Sequence, residues 1–137
     1  MLKTISLVAA IATGTLSVAS GHETHSAANL NKPEINDLMT RALEAADGLE
    51  VIMSRVAMPP NFTLPKHWHP GEEFVYLLEG SLTLLLEGQS DVEFSQGDSG
   101  VVPLKHIHTA RSGPNGAPIL VFRVHEKGQP GRVLVEK

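Results

Sequence analysis

Between His67 and Gly80 the chain reads H-W-H-P-G-E-E-F-V-Y-L-L-E-G, and this stretch limits its folding more than any other. His67 and His69 stand two apart in an extended context, so their imidazoles leave one face of a strand. Pro70-Gly71 turns the chain, and Glu73 opens a run, Phe74 to Leu78, that reads as the next strand. Two imidazoles and a carboxylate therefore converge from neighbouring strands. A second stretch, Gly97-Asp98-Ser99-Gly100-Val101-Val102-Pro103 followed by His108, supplies a third imidazole.

The texture around these motifs is that of short strands between turn residues. Leu49 to Met58 reads as a strand ended by Pro59-Pro60-Asn61, and Leu64 to His69 and Glu73 to Leu78 follow. Ser81 to Glu87, Asp91 to Phe94, Ser99 to Pro103, His106 to Arg111 and Ile119 to His125 continue the series, with Arg132 to Val135 as an edge segment. Strands at this spacing predict an all-β sandwich or barrel. Apolar runs such as Leu82 to Leu86 lack clean alternation, which predicts cover on both faces. Ahead of these strands, Ile35, Leu38, Met39, Ala42, Leu43 and Ala46 recur at helical spacing, with Asn31 and Glu34 as a capping pair and Asp47-Gly48 as a stop. That pattern predicts a short helix, with an extended arm over Met39 to Leu43 as the alternative.

The two motif stretches resemble the paired motifs of the cupin superfamily. His67, His69, Glu73 and Gly80 fit the first, with Asn61 where a leading Gly is expected; Gly97, Pro103 and His108 fit the second, with Lys105 in place of a Gly and Ser112 in place of an Asn. The departures bear on loop conformation and a strand end and leave the ligand positions intact. The resemblance covers roughly residues 49 to 127. It implies a single jelly-roll β-barrel with a short N-terminal helix or arm, and an open metal site inside it held by His67, His69, Glu73 and His108.

Three imidazoles and a carboxylate suit a divalent transition ion: manganese, iron, nickel, copper or zinc. Neutral imidazoles and one carboxylate leave a charge of about +1 around such an ion. The identity of the metal does not follow from the ligand types. Other polar residues are assigned more modestly. Trp68, between two inward histidines, should point outward, and Tyr76 reads as a half-buried sheet residue. His106 reads as exposed beside Lys105, and Arg55, Arg123 and His125 as edge or surface residues, because strand parity alone does not fix their face.

Residues 1–20 are a different kind of sequence. Lys3 gives a positive start, Ile5 to Val18 is apolar and small, and Ser17 to Ser20 offers small-x-small cleavage sites, the pattern of a secretory signal peptide. Residues 21–48 then form a leader and the short helix or arm, and 49–137 the β-barrel domain. At 137 residues, 42% hydrophobic and with a formal charge of −4, the chain has enough core for one domain and no basic cluster for nucleic acid or anionic lipid. It has no cysteine, which removes disulfides, thiolate ligands, a thiol nucleophile and a lipid-anchor thiol. The expectation is an exported protein, periplasmic or secreted, without a membrane anchor, binding a small-molecule ligand or substrate and pairing as a homodimer through sheet edges. Its function is that of a metal-dependent enzyme, an oxygenase, isomerase or lyase acting on a small oxygenated compound. The alternative is a non-catalytic module that captures a small molecule or metal. Catalytic residues beyond the ligands are not identifiable at this level.

Overall fold

A computed structural model describes residues 31–136. The expected signal peptide and nearly all of the polar leader lie outside the described residues. Ten strands follow in order: β1 (Glu34–Ala42), β2 (Leu49–Met58), β3 (His67–Trp68), β4 (Glu72–Leu77), β5 (Ser81–Leu86), β6 (Val92–Ser95), β7 (Ser99–Val102), β8 (His108–Ser112), β9 (Ala117–Glu126) and β10 (Val133–Leu134). They form two five-stranded antiparallel sheets, ordered β1-β2-β9-β4-β7 and β10-β3-β8-β5-β6. This is the all-β, jelly-roll-type architecture expected of the chain.

The period of two in β4 sets the inside of the first sheet: Glu73, Val75 and Leu77 are buried while Glu72, Phe74 and Tyr76 are exposed. Beside it, β9 is the spine, paired along its length to β2 and on its other side to β4. Across the interior, Leu82, Leu84 and Leu86 of β5, Phe94 of β6 and Ala110 of β8 close on Val56, Met58, Val75, Leu77, Val102, Ala117, Ile119 and Val121. Each large member contributes roughly 1.5–3 kcal/mol by leaving water. Cover on both faces of β5 is partial: Thr83 is also buried and its hydroxyl donates to Glu93 Oε2 at 3.0 Å, while Leu85 is half-buried.

The helical spacing ahead of the barrel does not produce a helix, and none occurs among the described residues. Residues 34–42 are β1, paired antiparallel to β2, with a register break between Asp37 and Met39. The break is a bulge, which flips side-chain parity within the strand. Apolar residues spaced as on a helix face thus fall on both faces of a strand, and Ile35, Leu38 and Met39 are all exposed. The segment is the extended arm, not the helix.

Two of the loop positions that depart from the family pattern lie in the backbone region that glycine favours. Asn61 and Lys105, each standing where a Gly is expected, have φ of +53° and +56°, in the left-handed region. Ser112, standing where an Asn is expected, ties the strand end to the loop before β3: its Oγ accepts from Phe62 N at 2.9 Å and donates to Pro59 O.

Candidate metal centre

The two motifs meet across one strand pair. His67 on β3 is the register partner of His108 on β8, and the Pro70-Gly71 turn brings Glu73 at the start of β4 back toward His69. Gly71 permits that turn because its backbone lies against β9, where a Cβ would run into Val124 O and His125 Cβ. His67, His69, Glu73 and His108 are all buried, at 4%, 5%, 8% and 3% exposure. One ring nitrogen from each histidine lies within 4.8 Å of the others, so the three form a group that could hold a metal ion. The ring centroids are 4.9 Å apart for His67 and His69, 4.3 Å for His67 and His108, and 5.1 Å for His69 and His108.

Hydrogen bonding fixes which nitrogens are free. His67 Nδ1 contacts Pro65 O at 2.7 Å, His69 Nδ1 contacts Gly131 O at 2.6 Å, and His108 Nδ1 contacts His106 O at 2.9 Å. A carbonyl only accepts, so each Nδ1 carries a proton, and in the neutral ring each Nε2 keeps its lone pair. Backbone carbonyls holding the far nitrogen are the usual support of metal-ligating histidines. His69 Nε2 is buried without a hydrogen-bond partner, although Glu73 Oε2 is only 2.9 Å away. Close approach without a directed hydrogen bond is what two donors aimed at a common cation would show. The residues present therefore fit a divalent ion.

The electrostatics agree. Burial, opposed by the Pro65 bond and reinforced by the neighbouring imidazoles, pushes His67 down to about 4. His108 is lowered as well, chiefly by burial. Burial pushes Glu73 up, but the His69 ring, the Arg123 guanidinium and His108 outweigh it and hold the carboxyl below its ordinary range. Near neutral pH His67 and His108 are thus neutral and Glu73 is ionised, the forms that bind metal.

Arg123 was expected at an edge or surface and is instead inside. It lies opposite Glu73 in the β4–β9 register, with Nε 3.5 Å from Glu73 Oε2. Its Nη2 donates to Ser54 Oγ at 2.8 Å and its Nη1 to Gly131 O at 3.1 Å, and Ser54 Oγ donates in turn to Asp37 Oδ1 at 2.6 Å. The Gly131 carbonyl therefore serves both His69 and Arg123. His125, also expected outside, is buried at 3% exposure with Nε2 3.4 Å from Glu50 Oε1, and it does not join the three-histidine group. The burial of Ala117, Ile119 and Val121 shows that odd-numbered β9 residues face inward; half-buried Leu120, Phe122 and Val124 on the other face hide this parity in the sequence. Arg55 is exposed, as expected. Trp68 is half-buried between the two inward histidines, and Tyr76 is exposed rather than half-buried. His106 is half-buried, its Nε2 donating to Glu87 O at 2.9 Å, rather than fully exposed.

A cavity of about 280 Å³ adjoins the group. His67, His69, Glu73 and Arg123 line one part of it, Val56, Leu64, Ile119 and Val121 give it apolar walls, and Asp37 and Arg132 also face it.

Comparison with known proteins places these features. A family model described as a cupin domain, Cupin_2, matches residues 54–122. Dimethylsulfoniopropionate lyase DddQ of Ruegeria pomeroyi is 34% identical over 68 residues, which is 50% of this chain and 33% of that protein. A germin-like protein of Morus alba is 26% identical over 114 residues, 79% of this chain and 54% of that protein. The chain thus spans between a third and about half the length of these curated relatives. Among solved structures, the Ruegeria pomeroyi lyase superposes with a TM-score of 0.61 at 23% identity, covering 82% of this chain and 56% of that one. A cupin-like protein from Thermotoga maritima gives a TM-score of 0.59 at 15% identity, covering 77% of each chain. These structural likenesses establish the fold.

Proposed function

The chain belongs to the Cupin_2 family of cupin domains, and on that premise we propose that it is a metal-dependent enzyme of the lyase type. In this reading His67, His69, Glu73 and His108 hold one divalent transition ion, and the adjoining cavity admits a small oxygenated substrate. The observation that carries the reading is the pinning of all three Nδ1–H groups to backbone carbonyls, which leaves three Nε2 lone pairs beside one buried carboxylate. Such an ion, when bound, supplies Lewis acidity toward a substrate oxygen. The chain's own residues do the rest. The three imidazoles and Glu73 act as anchors, Arg123 keeps Glu73 ionised, and the apolar walls exclude water from the bound molecule. A lyase is favoured over an oxygenase or isomerase by the similarity to dimethylsulfoniopropionate lyase.

The reading includes export, supported by Lys3, the apolar run from Ile5 to Val18 and the small residues up to Ser20. It also includes a homodimer, supported by exposed Phe74, Tyr76 and Val101 beside one another on the outer face of the first sheet.

The deciding experiment is metal analysis of protein purified from its native compartment, followed by assay of that material for elimination from dimethylsulfoniopropionate and from small hydroxy acids. About one transition ion per chain with turnover of either supports the reading. Stoichiometric metal without turnover of any compound tested favours the binding module, and absence of metal uptake by intact protein removes the metal centre.

A further inference from the structure

The cavity beside the metal group has a charge unlike that of the molecule around it. The protein as a whole carries −4. Of the residues facing the cavity, Asp37 and Glu73 are acidic and Arg123 and Arg132 basic, which balance to zero before a divalent ion is added and give +2 after. The two acids are not equivalent to free carboxylates. Glu73 is held against His69 and Arg123, and Asp37 accepts from the Ser54 hydroxyl. Of the two bases, Arg123 has both terminal nitrogens donated to protein oxygens. Arg132 is exposed, faces the cavity, and has no such bond among the described residues. A low-dielectric concavity with net positive charge concentrates anions. The lining also includes no aromatic ring apart from imidazoles, so nothing there offers a face to an onium group.

Resting on the metal-centre reading above, we propose that the cavity binds a small carboxylate, with Arg132 as the specificity-determining residue that takes the carboxylate oxygens. The volume limits the ligand. At roughly 30 Å³ per displaced water, a cavity of about 280 Å³ has room for about nine waters, enough for a short hydroxy acid with solvent around it. The position of Arg132 is built into the chain. Gly131 is fixed by its carbonyl bonds to His69 and Arg123, and a Cβ there would sit 2.8 Å from Arg123 Nη1. Two residues on, β10 pairs with β3 at Val133 and Trp68. Arg132 is thus held between two anchored neighbours while its side chain stays free. A guanidinium is suited to this role because its fork matches a carboxylate in a bidentate pair.

The test compares lactate with lactamide, which has nearly the same shape and no charge, by calorimetry on the full mature protein loaded with Zn²⁺, after Zn²⁺ binding itself has been titrated. Lactate is expected to bind at least tenfold tighter than lactamide. Arg132→Gln should shrink that difference several-fold, to what the ion alone supplies, with Zn²⁺ affinity unchanged, and Arg132→Lys should restore part of it. Asp37→Asn, which keeps an acceptor for Ser54 and removes a negative charge from the wall, should strengthen lactate binding a few-fold. Equal binding of lactate and lactamide, or a preference undiminished in Arg132→Gln, overturns the proposal and leaves the metal centre standing. Failure to bind Zn²⁺ overturns the metal centre and, with it, the charge on which the anion depends.

Discussion

His67 and His108 are direct partners across β3 and β8, their ring centroids 4.3 Å apart. One strand pair therefore joins two motifs distant in sequence: sheet register sets His67 against His108, while the Pro70-Gly71 turn and the Gly131 carbonyl place Glu73 and His69. A shift of β3 by one residue would exchange His67 for Trp68 on the inner face. The same closeness makes protonation unfavourable, because a charge on either ring meets the other.

This pairing predicts how stability responds to acid without metal. His67 is lowered to about 4 in the folded chain and returns to an ordinary value near 6.5 on unfolding. Between those values the unfolded chain binds more protons, so stability is full above the upper value and falls as pH drops toward the lower. The loss from this residue approaches roughly 3 kcal/mol at 1.36 kcal/mol per pH unit. His108 acts in the same direction, and Glu73 extends the loss below its ordinary range. Denaturant midpoints in chelator from pH 7 to pH 4 should fall steadily, and His67→Phe should flatten the curve. An unchanged slope in that variant would sink the assignment.

Metal affinity should sort the histidines. His67→Ala, His69→Ala and His108→Ala are each expected to weaken Zn²⁺ by more than about 100-fold, exceeding the 10- to 100-fold typical of removing a supporting partner. Glu73→Gln keeps the shape and removes the charge, so it should weaken binding and preserve the fold. His106→Ala and His125→Ala should leave the stoichiometry at one ion per chain, since His106 is bonded to Glu87 O and His125 faces Glu50. Titration calorimetry reads all six variants. Stoichiometric binding that persists after loss of both His67 and His108 would falsify the site.

The two left-handed loop residues should differ in their response to glycine. Lys105 at φ +56° carries a Cβ penalty of about 1–2 kcal/mol, only partly offset by the greater freedom of unfolded glycine, so Lys105→Gly should stabilise by roughly 0.5–1 kcal/mol. Asn61 tolerates the region better, and Asn61→Gly should lie near zero. Chemical denaturation of both variants is the check; a stability loss at Lys105→Gly would contradict the left-handed assignment.

Ser112 offers a further test. Its hydroxyl both accepts from Phe62 N and donates to Pro59 O in a buried position. Ser112→Ala leaves both groups unpaired and is expected to cost roughly 2 kcal/mol. A loss below a few tenths would mean that water replaces the hydroxyl.

Much of the barrel could be read in the sequence because its signals are local. Leu49 to Met58 carries strand composition between a glycine and a proline pair, and β2 has those limits. The alternation Glu73, Val75, Leu77 announces the inner face of β4, and the His-x-His spacing announces that of β3. What failed depended on partners. The β1 bulge turns strand spacing into a counterfeit of helical spacing, and only pairing with β2 exposes it. Arg123 and His125 were misplaced because β9 is apolar on both faces, so its alternation is visible only once β2 and β4 lie beside it. The bond from Gly131 O to His69 leaves no trace in residue spacing at all.

That bond also sets an order of events during synthesis. The ring of His69 is fixed by a carbonyl 62 residues further along the chain. A nascent polypeptide that has emerged only as far as Pro130 can display His67 and His69, but nothing yet selects the tautomer or turns the second ring. Metal offered at that stage meets a loose chelate that exchanges freely. The locked ring arrives only after Gly131 has been made, so the ion retained is the one available where the chain folds. Stalled chains ending before and after Gly131 should therefore differ in how long they hold Zn²⁺ against a chelator, and equal retention would refute this order.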